Sequence, residues 1–135
     1  MKDLITERFA LNGLLTIISL TIVFHVLVVL GVIPFEIVWG GRLQDRSQML
    51  AFEIVSLGIN LFMLAIICVR AGIVRINVHP MLTRVIFWAM FGLFLLNTVG
   101  NIFSNNSLER LIFTPLTLIL SIFCFRVAVG KPGNV

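Results

Sequence analysis

Polar residues along this chain gather in short clusters, and four long apolar runs separate them. The first run carries no Asp, Glu, Lys or Arg from Phe9 to Phe35. The spans this pattern predicts are residues 11–33, 49–69, 83–103 and 111–129. At 1.5 Å per residue, each can cross roughly 30 Å of hydrocarbon. A lone strand would leave its backbone unpaired in lipid, so the spans must be helices. The prediction is an all-α fold, a four-transmembrane-helix bundle, with residues 1–135 forming a single multi-pass membrane domain.

Inside the spans the polar residues recur at helical spacing. Glu53, Ser56 and Asn60 fall at i, i+3, i+7 on the second span. On the third, Asn97, Gly100, Asn101 and Ser104 fall at i, i+3, i+4, i+7, and Thr114, Thr117, Ser121 and Cys124 form a similar stripe on the fourth. Thr21 and His25 stand at i, i+4 on the first. Each helix thus has one polar face, and four such faces turn toward one another rather than toward lipid.

Composition sets the solvent. The chain is 59% hydrophobic and 12% charged, which is too apolar for a water-soluble domain of this length. The net charge of +4 does not point to nucleic acid, because the basic residues sit at the ends of apolar runs, without a basic patch interleaved with aromatics. Cys68 and Cys124 lie within apolar runs and form no CxxC motif, so thiol-redox chemistry is not expected. The start, MKDLITER, is mixed in charge, and no A-x-A site follows the first run. That run is therefore expected to be a permanent span rather than a cleaved leader.

Charge also orients the spans. Lys2, Arg8, Arg70, Arg75, Arg84, Arg126 and Lys131 fall on one side, and Arg42, Arg46 and Arg110 on the other. The excess places the N- and C-termini in the cytoplasm. Trp39 and Trp88 then lie near opposite interfaces. Pro34 is expected to end the first helix, Gly40-Gly41 to make a tight turn, Pro80 to start the third helix, and residues 107–110 to cap the fourth. The arginines of RAGIVRINVHPMLTR are expected to meet anionic headgroups, and the closing GKPGNV to fray.

Depth concentrates the chemistry. Glu53 lies roughly 6 Å below the outer boundary, Asn60 roughly 16 Å and His25 roughly 12 Å; Asn101 and Asn97 lie about 5 and 10 Å down, with Thr114 and Thr117 similar. The candidate ligand-binding set is therefore Arg42, Glu53, Asn60, Asn97, Asn101, His25, Thr114 and Thr117, gathered in the outer half of the bundle under the Trp39-Gly40-Gly41-Arg42 turn. His25 and Glu53 are the one candidate acid–base pair. Each residue also has a structural role open to it. Glu53 can simply pair with Arg42 or Arg46, and His25 can be a hydrogen-bonded core residue. The asparagines can hold helices together, the Ser/Thr stripe of the fourth helix can be packing, and Gly100 can mark a close helix contact. His25, His79 and Glu53 are too few for a metal site, and His79 belongs to the opposite side of the membrane. Phosphate-binding loops and G-x-S-x-G elbows are absent, and no cofactor is implied.

The strings WGGRL, FE, SLGIN, NTVGN and FTPLTLIL, from Trp39 to Ser121, resemble a group of small bacterial four-helix integral membrane proteins to which no activity is attached. The resemblance implies a bacterial cytoplasmic membrane. Small multidrug-resistance transporters share the architecture but carry their essential Glu on helix one, where this chain has His25. The sterol isomerase and sigma-2 receptor group also holds lipid-like molecules with polar residues on a few helices, but the likeness is one of architecture. Three functions are expected from the pattern. The first is a bundle binding a small or lipid-like ligand, with Glu53 as charged anchor, the asparagines as amide partners and Arg42 as gate. The second is a small transporter or proton-coupled membrane enzyme, and the third a structural or accessory subunit. The partners expected are the lipid bilayer, a small or lipid-like ligand and a second copy in a homo-oligomer.

Overall fold

A computed structural model describes residues 4–131. Among these the chain is all-helical, with α1 (Glu7–Val29), α2 (Arg46–Arg70), α3 (Pro80–Ile102) and α4 (Ser107–Ala128). All four are long and apolar enough to cross a membrane. The expected fraying of the tail concerns residues 132–135, outside the described residues.

Side-chain caps set the helix starts. Thr6 accepts from Phe9 N–H at 3.1 Å, Asp45 from Gln48 N–H at 2.8 Å, and Asn106 from the N–H groups of Leu108 and Glu109. Each fills the role of an N-cap acceptor. α3 opens with Pro80 at its first turn, as its spacing predicts, and His79 caps it.

The first helix does not run to Pro34. It ends at Val29 because Gly31 takes the left-handed conformation (φ +77°). Gly31 N–H then donates to Val28 O and Val32 N–H to Leu27 O, both at 3.0 Å, closing a Schellman motif several residues before the proline. α2 ends the same way at Gly72. The fourth helix is capped by Asn106, one residue before the stretch expected to do it, and it continues through Pro115.

Packing is uneven around the bundle. α4 packs most extensively on α3, α1 packs on α2, and α1 and α4 join the two pairs; α2 and α3 scarcely touch. The main core gathers Leu11, Leu14 and Ile18 of α1, Met63 and Ile67 of α2, Phe87 and Met90 of α3, and Phe123 and Cys124 of α4. A smaller cluster of Val28, Val38 and Met49 lies at the other end. Many large apolar side chains face outward, such as Leu96 and Leu111, as expected of helices solvated by lipid.

Both ends of the described chain lie at one end of the bundle, called here the terminal end. Three arginines bind it together. Arg70 pairs with Glu7 at 2.5 Å, Arg84 Nε donates to Ala128 O at 3.0 Å, and Arg126 Nε donates to Ile5 O at 2.6 Å. Arg70 and Arg84 were expected at lipid headgroups. Arg70 is partly buried against Glu7, and Arg84, although exposed, lends its Nε to a helix-end carbonyl that needs a donor. Arg75 stays exposed.

Candidate functional site

The opposite end carries the α1–α2 and α3–α4 connections. Its organising group is Glu53, on the second turn of α2 and 0% exposed. A carboxylate buried this way must have partners. His25 Nδ1 lies 2.5 Å from one oxygen, and Trp39 Nε1–H donates to the other at 2.9 Å. The expected pairing with Arg42 or Arg46 is not formed; both arginines are exposed. Ring N–H donors are cheaper to bring into an apolar interior than a guanidinium, which stays hydrated at the rim.

Trp39 reaches Glu53 through an unusual backbone. Its φ is +55°, a region that bulky residues rarely occupy and that costs about 1–2 kcal/mol. Gly40 follows at φ +70°, where a glycine costs little. Two contacts hold the tryptophan there: the bond to Glu53, and packing on Phe52 with ring centroids 5.0 Å apart. The indole N–H thus turns toward Glu53 while the residue stays 38% exposed. The next peptide is fixed from the other side of the bundle, where Glu109 of α4 accepts Gly40 N–H at 2.7 Å and the Ser104 hydroxyl at 2.5 Å. Two buried carboxylates, on α2 and α4, thus staple the 39–41 turn over the helix ends.

Beneath this turn lies a cavity of about 490 Å³. All four helices and the turn line it, and it abuts the face where α2 and α3 part. Of the sequence-predicted residues, His25, Arg42, Asn60, Asn97, Asn101 and Thr117 line it. Glu53 does not. It stands behind His25 and Trp39, which do line the cavity, so any charge it contributes arrives through those rings. Thr114 is not among the lining residues either; its buried hydroxyl has no hydrogen-bond partner among the described residues.

The lining polar groups differ in how committed they are. Thr117 Oγ1 donates to Phe113 O at 2.7 Å and lies 2.9 Å from the Thr98 hydroxyl. Asn101 Nδ2 donates to it at 3.4 Å. Asn60 Nδ2 donates to Ser56 O at 2.8 Å. Asn97 is exposed and makes no side-chain hydrogen bond within the described residues. Gly100 is not a close helix contact, since a Cβ added there would meet nothing within 4 Å. A second, almost wholly apolar pocket lies between α1 and α4, behind the Phe24–Phe113 ring contact.

The pattern of polar faces includes Ser104 but does not reveal Glu109, Thr98 or the Trp39–Glu53 bond. Glu109 sits three residues after the Asn106 cap, a common place for an acid in a helix first turn, so nothing in its spacing marks it. Its proximity in depth to the Trp-Gly-Gly turn is the one cue. Among the described residues, no three His, Cys, Asp or Glu side chains gather as metal ligands would. Chemically, the site combines an apolar chamber, amide and guanidinium donors near its mouth, and one imidazole backed by a carboxylate. Comparison with protein-family models, curated proteins and solved structures returns no match.

Proposed function

We propose that this multi-pass integral membrane protein, in a bacterial cytoplasmic membrane with both termini inside, binds a small lipid-like molecule in the cavity of its outer half. The observation that carries the reading is the gap between α2 and α3 beside a chamber of about 490 Å³, a size within the usual range of ligand pockets. A bundle held together only by its polar stripes would close that seam. Asn97 also supports the reading: an exposed, unbonded amide on a membrane helix is costly in lipid and is relieved by a polar partner.

Native mass spectrometry of the detergent-purified chain tests this, with Gly100→Trp as the comparison. The indole fills open space at Gly100, so the fold survives and the chamber is blocked. A co-purifying mass in the wild type that Gly100→Trp loses, at unchanged helicity, is the expected result. A mass that both forms retain equally, or none in either, rejects the reading.

A second reading rests on the His25–Glu53 contact. A carboxylate-backed imidazole lining a cavity could take up and release a proton, as a small transporter or proton-coupled membrane enzyme requires. Reconstituted vesicles with a pH-sensitive dye test it. Proton flux that Glu53→Gln abolishes favours this reading, and unaltered flux rejects it.

A further inference from the structure

We infer that the occupant of the cavity is an amphiphile with an anionic phosphate or carboxylate headgroup, its head held at Arg42 and its chain lying toward the middle of the bundle. This rests on the reading of the cavity as a binding site.

The cavity is graded along its length. α2 and α4 run inward from the stapled turn, and α3 runs outward toward it. Met63, Leu93 and Leu120 therefore line the deep end, while Arg42 and Asn101 line the mouth. By helix rise, the distance from the start of α4 to Leu120 is roughly 20 Å. A small polar solute would leave the deep end unfilled, and a plain hydrocarbon would leave Arg42 and the Asn97 amide without use.

The charged groups then select among amphiphiles. Glu53 is fully buried, and both its oxygens are engaged by ring nitrogens. Glu109 lines the cavity, but its Oε2 already accepts two hydrogen bonds, and the residue is buried. Arg42 differs from both: it lines the cavity, is exposed, and makes no ion pair among the described residues. Its side chain folds back over Gly40, with Nε 3.3 Å from where a Cβ would stand on that glycine. The guanidinium thus lies at the rim beside the stapled turn, and Arg42 is the exposed charged residue of the lining, whereas Glu109 is buried. A cationic head would face Arg42, find Glu53 fully engaged and meet only the remaining oxygen of a buried Glu109, whereas an oxyanion gains a charge-assisted, potentially bidentate contact with the exposed guanidinium. The gap between α2 and α3 admits such a molecule sideways from the leaflet.

The test titrates three probes onto the detergent-solubilised full chain, read by native mass spectrometry: dioleoyl phosphatidylglycerol, dioleoylglycerol and glycerol 3-phosphate. The wild type should bind the phosphatidylglycerol most tightly. Arg42→Gln should weaken that binding about tenfold, the scale of one charge-assisted contact, and leave dioleoylglycerol binding unchanged. Arg46→Gln, at a neighbouring exposed arginine outside the lining, should change neither. Equal affinity for phosphatidylglycerol and dioleoylglycerol, no effect of Arg42→Gln, or an equal effect of Arg46→Gln overturns the anion assignment while leaving an occupied cavity. Glycerol 3-phosphate bound as tightly as the lipid overturns the amphiphile and points to a soluble phosphate. No binding of any probe removes the cavity reading beneath the inference.

Discussion

The two ends of this bundle use charge in opposite ways. At the terminal end arginines do the tying: Arg70 to Glu7, Arg84 to Ala128 O and Arg126 to Ile5 O. Beside them lies the packed core around Leu14, Ile67, Phe87 and Cys124. At the opposite end glutamates do it, with Glu53 and Glu109 accepting from a histidine, a tryptophan, a serine and a backbone N–H. There the helices part and a chamber remains. The long arginines reach across helix ends and satisfy carbonyls, so the terminal end closes on itself. The shorter glutamates need donors brought to them, so the connecting turn bends inward, even placing Trp39 at positive φ. One end is thus a clamp, and the other a vault whose roof is held from two walls.

The largest way to break this contrast is Glu53→Ala. It strips His25 and Trp39 of their shared acceptor and leaves a void at a fully buried site. The expected loss is about 3–5 kcal/mol, the scale for breaking a buried pair. Trp39 fluorescence should shift to the red as the turn is released. Glu53→Gln keeps the shape and one acceptor and should cost less than half as much. Denaturant titration in detergent, followed by Trp39 emission in a Trp88→Phe background, measures both. Equal losses for the two variants would show that the carboxylate itself, rather than its shape, holds the roof.

At the clamp, Arg70→Met leaves Glu7 buried beside an apolar partner and should cost about 3 kcal/mol. Adding Glu7→Leu should recover most of that, because an apolar pair can replace a buried ion pair. Neither variant should alter any mass that co-purifies with the chain, since the clamp lies at the other end. Thermal melting of the two variants, with native mass spectrometry alongside, checks both halves. A double variant no more stable than the single one would mean that Glu7 does more than answer Arg70. On the roof, Trp39→Phe keeps the ring on Phe52 but removes the N–H bond to Glu53. The expected cost is about 1–3 kcal/mol, for a carboxylate losing one of its donors, with His25 still in place.

The contrast between the ends was only half legible in the chain. The four spans follow from apolar run length, and the candidate polar faces from a 3.6-residue period, because lipid forces both. Helix ends were less legible: Gly31 stopped α1 where Pro34 was the more visible breaker. Partner choice was least legible. Charge alone would join Glu53 to Arg42, but pairing in a low-dielectric interior depends on desolvation, and desolvation depends on which side chains the turn carries inward. That is set by the backbone of residues 39–41, a tertiary fact. Glu109 was hidden for the same reason, since its role depends on a turn 69 residues away.

The finest comparison uses two glycines within helices. A Cβ at Gly13 would run into the Phe123 ring, while one at Gly100 meets nothing within 4 Å. Gly13 faces the packed half of the bundle, where Phe123 also meets Phe9 edge-on at 5.7 Å, and the ring has little room to retreat. Gly13→Ala should therefore cost about 1–3 kcal/mol, the usual range for overpacking. Gly100→Ala should be neutral or stabilising by up to about 1 kcal/mol, because alanine favours the helix and the chamber has space. Paired thermal melts measure the difference. If Gly100→Ala destabilised as much as Gly13→Ala, the seam between α2 and α3 would be closed in the membrane, and the vault would be packed as tightly as the clamp.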